Sequence, residues 1–108
     1  MNTNWTKKEF KAYILLYAAQ ADYNISLEEK EVIISKVDEK TYKKIHIELK
    51  GDNDYQAIQK IQENMEAHNY SHKFLEHLIN DIKEVFFSDG TFDILERNML
   101  MFLKKTLK

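Results

Sequence analysis

A chain of 108 residues with no proline and only two glycines, Gly51 and Gly90, has almost nothing with which to stop a helix. Proline removes a backbone donor and clashes with the preceding turn, and glycine is the residue that most readily takes a left-handed conformation at a helix end. Long helices joined by few turns are the first expectation. The apolar residues agree with it: Phe10, Tyr13, Ile14, Tyr17, Ala18 and Ala21 recur at intervals of three and four, as do Phe74, Leu75, Leu78, Ile79, Ile82, Val85 and Phe86. Shorter segments with the same period run from Leu27 to Val37, Tyr42 to Leu49, Tyr55 to Met65 and Phe92 to Leu107. Gly51-Asp52-Asn53-Asp54 is the clearest internal turn, and Asn69 and Ser71 are caps that mark another break. The pattern predicts an all-α, compact single-domain bundle of about six helices over residues 1–108.

Composition removes several classes of function. Without cysteine there is no disulfide framework, thiolate zinc site or cysteine nucleophile. A net charge of −2 gives no global case for nucleic acid, and the Lys40, Lys43, Lys44, Lys50 stretch with Tyr42 is offset by Asp38, Glu39 and Glu48. Lys104, Lys105 and Lys108 read as another solvated face. The longest apolar run, Ala12 to Ala19, is too short to span a bilayer, and Lys7, Lys8 and Glu9 are not followed by a signal-peptide core. A soluble, unprocessed, cytoplasmic protein without membrane insertion is expected. No strained nucleophile turn or glycine-rich phosphate loop is present, so an enzyme is the weakest class.

One short pattern occurs twice: Asp22, Ile25 and Glu29, then Asp89, Phe92 and Glu96. Each copy lies between apolar stretches, so each reads as helix, turn, helix, and the two make a pseudo-repeat. Carboxylates gathered at such turns repel one another unless a cation joins them or some take up protons. Capping offers a plainer account. Ser26 with Glu29, and Asp93 with Glu96, match the capping box, in which the first side chain caps the helix and the glutamate reaches back. That reading leaves out Asp22 and Asp89, which fall near the ends of the preceding helices, where the macrodipole disfavours negative charge by about 0.3–1 kcal/mol.

The spacing also invites comparison with the EF-hand, and the first half of that loop fails. Its first and third positions would be Ala18 and Gln20 in one copy and Val85 and Phe87 in the other, with no carboxylate to begin calcium coordination. The position that needs glycine is Gly90 in the second copy but Tyr23 in the first. A metal would need both turns, meeting to share one ion. A second possible ligand ladder, His68, His72 and Glu76, is broken by the caps at Asn69 and Ser71, and His46 and His77 have no stronger case.

The segments Ala21-Asp22-Tyr23-Asn24-Ile25 with Glu29, and Ser88-Asp89-Gly90-Thr91-Phe92 with Glu96, resemble the paired acidic turns of the TerB-like tellurite-resistance family. Tyr23 and Ser88 depart from that pattern, where the family favours glycine and alanine. The resemblance implies an all-helical domain over roughly residues 8 to 107. It implies a non-catalytic stress-response module that binds a divalent cation (calcium, manganese or magnesium) through Asp22, Glu29, Asp89 and Glu96. It further implies protein partners, membrane-associated ones among them.

A reading of another class comes from the last helix. Met99, Leu100, Met101, Phe102 and Leu103 are consecutive and wrap more than one stripe. Burial on most sides is the expectation for this helix; the alternative is a metal-independent surface for a protein partner or for self-association. Trp5 is expected as a satellite of the core.

Overall fold

A computed structural model of the chain describes residues 5–20, 25–88, 90 and 94–107. They form α1 (Lys7–Ala19), α2 (Leu27–Val37), α3 (Glu39–Lys50), α4 (Asp54–His68), α5 (His72–Phe87) and α6 (Ile94–Thr106), with no strand among the described residues. The helix starts follow side-chain caps. Thr6 with Glu9, Ser26 with Glu29 and Asn53 with Gln56 are full capping boxes opening α1, α2 and α4, while Ser71 caps α5 by accepting from the Phe74 N–H. The break between α4 and α5 falls where the two caps predict it, with Asn69 left-handed at φ +47°.

The burial of the helices departs from the expectation in one respect. A period of three and four predicts a single buried stripe on α1, yet Phe10 and every residue from Ala12 to Ala19 is buried. The reason is topological: each of the other five helices packs against α1. α1 is the central helix, and α6 is not. Leu100, Leu103 and Leu107 are buried where α6 meets α5 and α1, but Met101 is 56% exposed and Phe102 38% exposed. The expectation that α6 is buried on most sides is therefore wrong, because it packs at the edge of the bundle. Trp5 is buried against Tyr13, with ring centroids 4.5 Å apart, as a satellite of the core. The Cα radius of gyration, 12.6 Å, is that of one compact domain of this length. Among the described residues no helix is long and apolar enough to cross a membrane.

A polar network fastens α1 to α3 and α4. The Tyr13 hydroxyl donates to Asp52 Oδ2 at 2.7 Å, and Lys60 Nζ lies 2.8 Å from the same oxygen and 3.0 Å from Glu48 Oε2. The Trp5 indole N–H donates to Glu48 Oε1 at 3.4 Å. Burial, helped by the Asp52 carboxylate, pushes the Tyr13 phenol well above its ordinary range, so it stays protonated and serves as a donor. Burial disfavours the Lys60 charge, but its two carboxylate partners outweigh that and raise its pKa.

α2 and α3 meet with a single residue between them. Asp38 ends α2, its N–H donating to the Ile34 carbonyl at 2.9 Å, and caps α3, its carboxylate accepting from the Thr41 N–H at 2.7 Å. To do both it takes φ +117° and ψ 162°, a region that is almost glycine's alone. The Thr41 N–H, then Lys8 at 3.1 Å, hold its carboxyl at about 2 instead of 3.8. Because the folded pKa is depressed, the stabilisation is complete above about pH 4 and is lost as pH falls through 2. Chemical denaturation across that window should show a shallower acid loss in Asp38→Asn than in the wild type. At neutral pH Asp38→Gly should be more stable than Asp38→Ala, the reverse of the usual order: both lose the cap, and only glycine relieves the backbone.

Candidate functional site

The helices that follow the two acidic turns, α2 and α6, each carry a glutamate in the first turn, where the positive end of the helix favours negative charge. Glu29 is 1% exposed and Glu96 is 3% exposed. They are the only buried carboxylate residues among the described residues, and glutamate is seldom buried without a partner.

The capping-box expectation for Ser26 and Glu29 holds. Glu29 Oε1 accepts from the Ser26 N–H at 2.9 Å, and the Glu29 N–H donates to Ser26 Oγ at 3.1 Å. Capping does not explain the burial, however. The same bonds are made by Glu9 to Thr6 and by Gln56 to Asn53, yet Glu9 is only partly buried and Gln56 is exposed. Glu29 differs in that its second oxygen, Oε2, is also shut away from solvent. The partner box, Asp93 with Glu96, lies outside the described residues because Asp93 does, and so do Asp22 and Asp89.

The comparison with the EF-hand, which fails in sequence for want of carboxylates, fails in the structure for a second reason. Ala18 lies inside α1 and Gln20 caps its end, while Val85 and Phe87 lie inside α5, so the positions that would open a calcium loop are helical. Gly90 takes φ +82°, the left-handed turn for which the second copy has glycine, and its N–H donates to the Phe87 carbonyl at 3.1 Å.

The histidine ladder does not assemble. His68 ends α4 and stacks on Tyr70, with ring centroids 5.4 Å apart, whereas His72 opens α5 and pairs with Glu76, at 3.2 Å and in the open. Among the described residues no three side chains of histidine, aspartate or glutamate group as a metal site. The lysines of the basic stretch are partly neutralised: Lys43 pairs with Glu39 at 3.2 Å and Lys44 with Glu9 at 2.6 Å.

Sequence reasoning missed a cleft between the start of α2 and the outer face of α3. Tyr42, His46 and Lys50 are spaced four apart on α3 and face Lys30 of α2 there. The spacing was visible in the sequence, but which helix faces it was not. Comparison with protein-family models, with curated proteins and with solved structures finds no match for this chain.

Proposed function

We propose that the chain is a non-catalytic, TerB-like stress-response module of the cytoplasm. In this reading it binds a divalent cation through Asp22, Glu29, Asp89 and Glu96 and acts by engaging a protein partner. The observation that supports it is the burial of Glu29 and Glu96 at equivalent places, the first turns of the helices that follow the two acidic turns. Carboxylate oxygens are the donors a divalent cation takes, and a cation shared by both turns would tie the two buried glutamates into one site. An all-oxygen donor set suits the hard cations calcium, magnesium and manganese. Because metal binding is coupled to the state of its ligands, cation occupancy would regulate how firmly α2 and α6 are held on α1, and with it the surface offered to a partner.

Isothermal titration with calcium, manganese and magnesium tests the reading. The wild type should bind at least one of them saturably, at one ion per chain, and Asp22→Ala/Asp89→Ala should not. No binding of any of the three, with the two chains indistinguishable, would sink it.

A second reading is favoured by the exposed side of α6. Ile94, Leu95, Met101 and Phe102 are all exposed, and each of the first two has one of the others seven residues on, so they share one face of the helix. Such a patch suits metal-independent protein interaction or self-association.

A further inference from the structure

The cleft between α2 and α3 has about 640 Å³ of free volume, the size of a small-molecule site. Tyr42, His46 and Lys50 form one stripe along α3, and Lys30 lies opposite with its Nζ 5.8 Å from the centre of the Tyr42 ring. The Tyr42 and His46 rings are 5.4 Å apart. Most lysines near the bundle's acids are paired, as Lys8, Lys36, Lys44 and Lys60 are. Lys30 and Lys50 have no ion-pair partner among the described residues, and the Tyr42 hydroxyl and the His46 imidazole have no hydrogen bond there. None of the described residues lining the cleft is acidic. Burial, and then the charges of Lys50 and Lys30, lower the His46 pKa. At the start of α2 the mouth is lined by Gln20 and Ser26 and by two apolar side chains, Ile25, which is half-buried, and Leu27, which is 65% exposed.

We propose that this cleft binds a small molecule with a phosphate monoester at one end and an apolar body at the other. Lys30 and Lys50 pair with the phosphate, Tyr42 donates its hydroxyl proton to it, and Ile25 and Leu27 cover the apolar part. Two ammonium groups match a group that carries about −1.5 to −2 charge at neutral pH, and a phosphate has acceptors enough for every donor present. A carboxylate, with one charge, leaves one lysine uncompensated. The proposal does not rest on the divalent-cation reading.

Amide chemical-shift titrations with phenyl phosphate, inorganic phosphate and acetate, at fixed ionic strength and with EDTA present, test it. Phenyl phosphate should give saturable shifts confined to residues 25–30 and 42–50, with tighter binding than inorganic phosphate and none by acetate. Lys30→Gln/Lys50→Gln should weaken phenyl phosphate about tenfold or more. Lys73→Gln/Lys105→Gln, which removes the same charge from exposed sites elsewhere, should bind as the wild type does. Unsaturable shifts at every exposed lysine, or equal weakening by the two double variants, would overturn the site. Equal affinity for phenyl phosphate and inorganic phosphate would overturn the apolar half of the assignment.

Discussion

A saturating divalent cation should raise the melting temperature of the wild-type domain by roughly 10 °C and leave Glu29→Gln/Glu96→Gln unmoved. The size follows from mass action: a ligand at a hundred times its Kd that binds only the folded chain adds about 2.7 kcal/mol. For a domain of this length each kcal/mol is worth about 4 °C. Glutamine is the informative substitution because it keeps the cap. Gln56 shows this within the same molecule, its Oε1 accepting from the Asn53 N–H at 2.9 Å as Glu29 Oε1 does from Ser26. The double variant therefore loses charge and ligand strength while keeping volume and helix start. Differential scanning fluorimetry with and without calcium, manganese and magnesium checks the shift in each protein. An equal rise in the two proteins would mean that the cation acts elsewhere, and the glutamates would then be caps that happen to be buried.

Phe10→Ala should cost about 3–5 kcal/mol, a large part of the roughly 5–15 kcal/mol that holds a small domain together. Phe10 is fully buried, its ring 4.6 Å from that of Tyr70 and 6.5 Å from that of Phe74, with Trp5 on another side at 6.4 Å. That cluster joins the start of α1 to the α4–α5 connection and to α5, so truncation opens a cavity that three aromatic rings cannot easily collapse into. Phe102→Ala makes the control. It removes the same side chain from the edge of the bundle, where it is 38% exposed, and should cost less, about 1–2 kcal/mol. Urea unfolding would show the difference as a lower midpoint for Phe10→Ala with an unchanged slope. A cost below about 1 kcal/mol would remove the cluster from the core.

The helices were legible because their signals are local. Scarce breakers forced long helices, α2 begins and ends where its period does, at Leu27 and Val37, and Ser26, Asn53, Asn69 and Ser71 mark ends by their own side-chain chemistry. What was not legible depends on how many neighbours a helix has. The apolar runs of α1 and α6 look alike in sequence, yet five helices cover α1 while one side of α6 is left open. The same limit applies to the site. Glu9 and Glu29 stand in identical capping motifs, and only the packing of the bundle makes one of them buried. The phosphate cleft is divided between two segments, and the residue that brings them together, Asp38, counts in the sequence only as an acid that offsets the lysines.

The enclosure of α1 also bears on synthesis. The helix that requires the most covering is the first of the six to leave the ribosome, and its covering includes α6, the last. Until α6 emerges, Ala12 to Ala19 cannot be fully shielded, and the nascent chain carries an apolar segment that other chains can capture. Low expression yield or inclusion bodies would then report the order in which the helices are made, even for variants whose finished fold is sound.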